Sequence, residues 1–234
     1  MHVPRPTAPG VDGSACIALA VRGRAADGAR QGGDVHATAP TPAGPRLLLA
    51  DVKGHGANAA PLAAAVLAAF HHSTASETDP VRLVRTLDAR LAPHLSEEDF
   101  VTLLLADCHP DEIRLVNCGH PPPVRIGRRL TSLPAPSPSP PLGLGPDPRI
   151  QRLRLLPDQR LLLHTDGLTE ARNPDGVLFS LDQRALAALR AATLDQALDG
   201  LLDLLHQHTE RVTTADDLTL LLLQPTRAIF PSPH

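Results

Sequence analysis

The chain has 234 residues, a formal net charge of -3 and a hydrophobic fraction of 42%, enough for one domain with a full core or for two small ones. Aromatic residues make up only 2%, with no Trp or Tyr, so Leu, Val, Ile and Ala must pack the core; base-stacking nucleic-acid platforms are argued against. There is no basic excess for phosphate backbones and no apolar run long enough to span a bilayer, so neither nucleic acid nor membrane is expected as a partner. Cys16, Cys108 and Cys118 form no CxxC pair. With the Pro-broken start MHVPRPTAPG, which has no signal-peptide core, this points to a cytoplasmic protein.

In chain order, residues 1–13 read as a tail. Ser14–Arg22 alternates and predicts a strand. Gln31-Gly32-Gly33-Asp34 reads as a turn, followed by a short segment and a Pro-rich link, Pro40–Pro45. Arg46–Val52 predicts a buried strand and Ala57–His72 a helix, with Pro61 early, where a missing N–H costs least. Asp79–Leu95 is amphipathic through Val81, Val84, Leu87 and Leu91, and Asp79-Pro80 is a helix start.

Phe100–Cys108 and Glu112–Cys118 predict a hairpin about His109-Pro110-Asp111. Val124–Leu133 reads as a shorter hairpin about Gly127, and Pro134–Pro141 as a loop. Ile150–Leu156 and Gln159–Thr165 predict strands around Pro157-Asp158. Leu181–Ala192 and Leu194–Glu210 predict helices, Asp217–Gln224 a last strand, and 227–234 a tail. One domain over 14–226 is therefore expected. Hairpin-like connections dominate, so the expectation is antiparallel sheets covered by helical layers.

Four carboxylate sites share a local pattern. Asp34 follows two glycines. Asp51 ends the run LLLA. Asp166 ends LLLHT and precedes Gly167. Asp216-Asp217 precedes LTLLLL. Strand ends bring distant side chains to one rim of a sheet. Glycine beside them admits carbonyls and water. Clustered carboxylates repel unless a cation neutralises them, and oxygen-only ligands suit Mg²⁺ or Mn²⁺. Two such ions can activate a bridging water for phosphate ester hydrolysis. Taken singly, each site also fits a turn or a cap. It is the combination that points to chemistry.

GGD (32–34), ADVKGHGANAA (50–60), FVTLLLADCHPDEIRLVNCGHPPPVRI (100–126), PPLGLG (140–145), LLLHTDGLTEARNPDGVLF (161–179) and ADDLTLLLL (215–223) occur in this order. Together they resemble the SpoIIE/RsbU-like branch of the metal-dependent protein phosphatases (PPM, protein phosphatase 2C type), over about Asp27 to Gln224. The resemblance implies an α+β fold, a four-layer αββα sandwich of two antiparallel sheets flanked by helices. It implies two Mn²⁺ or Mg²⁺ ions, with Asp51 bridging both and the Val52 carbonyl on one. Asp166 and Asp216 would complete one ion's shell, and Asp34 would hold the second metal. Asp217 would stand behind the ligands, and Gly33 and Gly167 would allow close approach.

Lys53 stands where eukaryotic relatives carry a histidine, to steady phosphate or to face solvent, with His55 two residues on. Val35-His36-Ala37 depart from the family's aromatic and acidic residues after GGD, leaving the second metal and a pocket wall open. His120 reads as a turn and packing residue, His164 as structural, and His71-His72 as a helix end. His206 and His208, two apart on a helix, do not converge on zinc. Cys118 has no paired base.

The implied activity is a phosphoserine/phosphothreonine protein phosphatase, with a phosphorylated anti-sigma-factor antagonist as the implied partner. The alternatives are a catalytically weak or inactive phosphatase-like binding module, and a hydrolase of small phosphate esters.

Overall fold

The computed structural model describes residues 17–24, 32–53, 59–210 and 216–226. Its strands are β1 (Ile17–Arg24), β2 (Asp34–Thr41), β3 (Gly44–Lys53), β4 (Phe100–Cys108), β5 (Ile113–Cys118), β6 (Val124–Ile126), β7 (Leu130–Ser132), β8 (Gln151–Leu153), β9 (Arg160–His164) and β10 (Leu218–Pro225). Its helices are α1 (Ala59–Thr74), α2 (Pro80–Leu91), α3 (Gln183–Leu189) and α4 (Leu194–His208). Two five-stranded sheets form, in the orders β1-β10-β9-β6-β7 and β2-β3-β4-β5-β8, and every strand pairing in them is antiparallel.

Three apolar layers hold four structural ones. Leu47, Leu49, Leu104, Ala106, Leu161, Leu163, Leu221 and Leu223 meet between the sheets. Alternate residues on the same strands, such as Leu48, Leu105, Leu162 and Leu222, turn outward beneath helices. Strands buried on both faces read as unbroken runs of leucine, as LLLA, TLLLA and LTLLLL do. The helix pair α1/α2 covers β2–β5 through Val66, Phe70, Leu83 and Leu87. The pair α3/α4 covers the other sheet through Leu186, Leu189, Leu198 and Leu201. This is the αββα sandwich.

Helix starts follow their caps. The Asp79 carboxylate accepts from the Val81 and Arg82 amides, with Pro80 at the first helical position. Thr193 and Gln196 form a capping box on α4. One buried arginine on each sheet ties down its helix pair. Arg46 on β3 grips Asp107 with two nitrogens (2.5 and 2.7 Å) and donates to the Glu77 and Thr78 carbonyls between α1 and α2. Arg160 on β9 donates to the Leu189 and Ala191 carbonyls between α3 and α4.

Some expectations change. Asp34, read as the end of a turn, the short segment after it and the first residues of the Pro-rich link form one strand, β2, paired with β3 from Asp34↔Asp51 to Thr41↔Gly44. Val35, Ala37 and Ala39 are buried and the residues between them exposed. The Pro40–Pro45 stretch is the turn of that hairpin. β8 and β9 lie in different sheets, so Pro157-Asp158 joins the two sheets. The expected tails, 1–13 and 227–234, lie outside the described residues, as does His55. Among the described residues no helix is long and apolar enough to cross a membrane.

Candidate active site

Four strand ends converge at one rim. Asp51, near the end of β3, lies directly opposite Asp34 on β2 and Thr102 on β4. Residues opposed across antiparallel strands share a face, so the two carboxylates point the same way. In the other sheet, β9 ends at His164 opposite Leu220 of β10. Asp166, opening the short 3₁₀ turn Asp166–Leu168, and Asp216-Asp217, just before β10, therefore share that edge.

Hydrogen bonds tie the two sheets together there. The Thr165 hydroxyl donates to Asp34 Oδ2 at 2.7 Å and accepts from the Thr219 amide at 2.9 Å. The Gly33 amide donates to Asp217 Oδ2, and the Val52 amide to the Gly33 carbonyl at 3.1 Å. Two glycines make this closeness possible. A Cβ on Gly33 would lie 2.6 Å from the Val52 carbonyl oxygen, and one on Gly167 2.0 Å from that of Asp217.

The electrostatics are those of crowded, partly buried acids. Burial, and then the charges of Asp51 and Asp217, push Asp34 up to about 7, against the lowering effect of the Thr165 hydrogen bond. Asp51 is also pushed up to about 7, first by burial and then by Asp166, Asp216 and Asp217. Lys53 alone opposes this. Asp166 is raised by burial, Asp216 and Glu170. Among the described residues, no three acidic, histidine or cysteine side chains close into a ready-made cation cage. The Asp216 carboxylate instead accepts from the Asp217 amide at 2.9 Å. The donors are nonetheless all hard oxygens, beside a backbone carbonyl that Gly33 leaves open. That set fits Mg²⁺ or Mn²⁺ and not a soft ion.

The structure thus brings Asp34, Asp51, Val52, Asp166, Asp216, Asp217, Gly33 and Gly167 to one rim. Lys53 lies two residues beyond Asp51, exposed, its Nζ 5.5 Å from the centre of the Phe100 ring. Val35 and Ala37 pack beneath α1 and are no pocket wall; only His36 faces out.

Sequence reasoning missed the threonines. Thr165 and Thr219 hold Asp34, and Thr102, beside Asp51, bonds Nδ1 of the buried His120 at 2.8 Å. Burial drives His120 down to about 3, so it is neutral. The available signal was the threonine just before Asp166 and the one just after Asp217-Leu218. His164 is buried on its own chain's carbonyl at Thr165, and His208 bonds the Val177 carbonyl. Cys118 is a buried thiol raised by desolvation, unsuited to act as a nucleophile.

Comparison with known proteins places this rim in context. The family model for Stage II sporulation protein E (SpoIIE) matches residues 42–226. The phosphoserine phosphatase RsbP of Bacillus subtilis (strain 168) is 26% identical over 163 residues, 62% of this chain. The chain spans 40% of that relative's length. The SiaA-PP2C domain of Pseudomonas aeruginosa superposes with a TM-score of 0.75 at 21% identity, over 88% of this chain and 85% of that domain. The catalytic domain of the serine/threonine protein phosphatase PstP, in complex with 2 manganese ions, does so at 0.68 and 19% identity, over 89% and 97%. At these identities the two structures establish a shared fold, that of the protein phosphatase 2C type.

Proposed function

Since this chain belongs to the SpoIIE family, we propose that it is a metal-dependent serine/threonine phosphoprotein phosphatase whose active site is the carboxylate rim. The observation that carries this reading is the convergence of Asp34, Asp51 and Asp166 from three strand ends, with burial and neighbouring carboxylates raising all three. A cluster that resists full ionisation alone is one that a cation stabilises.

In this reading Asp51 and the Val52 carbonyl would be among the groups that hold two Mn²⁺ or Mg²⁺ ions. Asp166 and Asp216 would help hold one of these ions, and Asp34 the second. When bound, such ions lower the pKa of a shared water and neutralise charge on the phosphoryl oxygens. The chain's own groups supply the geometry. Thr165 and Thr219 fix Asp34. Gly33 keeps the Val52 carbonyl accessible, and Asp217 locks Gly33 in place. Lys53 adds one positive charge beside Asp51 for the phosphate.

The relative named as a phosphoserine phosphatase supports a phosphoserine or phosphothreonine substrate. A phosphorylated anti-sigma-factor antagonist in the cytoplasm is the partner we propose. The scaffold alternative rested on Val35–Ala37; Val35 and Ala37 pack in the core with α1, which leaves only the exposed His36 of that stretch as its ground.

The test is phosphate release from para-nitrophenyl phosphate and from a phosphoserine protein with Mn²⁺, with EDTA, and in Asp166→Asn. Turnover on both that needs Mn²⁺ and falls at least about 100-fold in the variant is expected; removing one preorganised electrostatic contact from a catalytic site commonly costs that much. Turnover indifferent to EDTA contradicts the proposal.

A further inference from the structure

Among the described residues five large apolar side chains are exposed: Leu19, Leu144, Leu156, Val177 and Leu178. Three of them belong to loops that rise at the carboxylate end. Leu144 is 50% exposed. Its loop is fastened to β4 by paired bonds between Val101 and Leu142 (3.1 and 2.9 Å). Val101 follows Phe100, and Phe100 lies opposite Lys53, two residues from Asp51. Leu144, two residues past Leu142, thus stands on the β3–β4 side of the rim, toward the strand ends that carry Lys53 and Phe100.

Val177 and Leu178, 57% and 43% exposed, sit on the other side, on a tight loop six residues beyond Asp166. That loop is held rigidly. Asn173 bonds Val177 and Gly176 through its side chain and backbone, Arg172 bonds the Gly176 carbonyl, and Arg172 pairs with Leu178. His208 anchors it from α4, through the Val177 carbonyl at 2.9 Å and an edge contact with Phe179. At the opposite end of β9, Arg160 bonds the Ala191 carbonyl just ahead of α4. A 15-residue helix, about 22 Å long at 1.5 Å per residue, therefore delivers His208 to the rim end.

Isolated exposed leucines are ordinary. Apolar side chains held out by two hydrogen-bonded loops on opposite sides of a charged rim belong to none of the fold's three apolar layers. We propose that Leu144 on one side and Val177 with Leu178 on the other form the docking surface for the polypeptide around the phosphorylated residue, and that this polypeptide carries apolar side chains on both sides of its phosphoserine or phosphothreonine. The proposal rests on the phosphatase reading and narrows it to protein substrates of that kind.

The test compares Leu144→Ser and the double variant Val177→Ser/Leu178→Ser with the unchanged chain on three substrates: a phosphoserine peptide flanked by leucines, the same peptide flanked by glycines, and para-nitrophenyl phosphate. One lost apolar contact lowers specificity by roughly 10-fold or more. The expected result is a fall of about that size in kcat/KM on the leucine-flanked peptide for each variant. The small ester should change less than about twofold, and the unchanged chain should prefer the leucine-flanked peptide by a similar factor. Anisotropy of a fluorescent leucine-flanked peptide, read with EDTA present, should show the same weakening. Equal turnover of both peptides by the unchanged chain, or variants that bind and cleave like it, overturns the docking surface and leaves the phosphatase standing. Peptide binding that depends on Leu144, Val177 and Leu178 without turnover of any substrate supports the surface and removes the phosphatase.

Discussion

Asp34 and Asp51 face each other across β2 and β3, and each is held near 7 instead of its ordinary 3.8. The sign of the consequence is fixed. A carboxyl whose folded pKa is raised favours the protonated fold, so its contribution is full below about pH 4 and lost as pH rises through 7. Metal-free protein in EDTA should lose several degrees of melting temperature between pH 5 and 8, read by differential scanning calorimetry. Asp51→Asn should flatten that slope and raise the melting temperature at pH 8. A slope unchanged in the variant would mean the acids are not coupled as described. Gly167→Ala tests the same rim sterically. Its Cβ would need the space of the Asp217 carbonyl, 2.0 Å away, so Asp217 and β10 must shift. Activity should fall at least about 10-fold while far-ultraviolet circular dichroism is retained.

At the scale of elements, the two buried arginines hold the helical layers to the sheets. Arg46 and Asp107 are almost wholly shielded from water. Removing one partner of such a pair costs about 3–5 kcal/mol, because the other charge is left buried and alone, whereas replacing both with apolar residues is often near neutral. Urea unfolding of Arg46→Leu should show that loss, and Arg46→Leu/Asp107→Leu should recover most of it. Similar losses in single and double variants would contradict this.

The long elements were legible from unbroken apolar runs, LLLA, TLLLA and LTLLLL, for strands, and from the Val84-Leu87-Leu91 spacing for α2. β2 was not, because prolines and small residues obscured a true alternation, Val35-Ala37-Ala39, which only burial against α1 reveals. Which sheet β8 and β9 join was also hidden, since period marks a strand and not its partner. In the site, the aspartates stood out as charges at the edges of apolar runs or beside glycines. Thr165 and Thr219 did not, because threonine in or beside a strand is ordinary for its backbone propensity, and only the geometry shows Thr165 donating to Asp34 while the Thr219 amide braces Thr165.

For the whole molecule, the sandwich concentrates unfavourable charge at one end while three apolar layers supply stability. A cation that binds the folded rim and not the unfolded chain should raise stability by about 2.7 kcal/mol at 100 times its dissociation constant. Mn²⁺ should accordingly raise the melting temperature, and Asp51→Asn should remove most of the rise. The most direct test of the rim as a metal centre is the Mn²⁺ content of the folded chain by equilibrium dialysis, with Asp51→Asn beside it. Two ions per chain, lost in the variant without loss of fold, is the predicted result. A chain that binds no Mn²⁺ above background at millimolar metal, or binds it equally without the Asp51 carboxylate, would contradict the account.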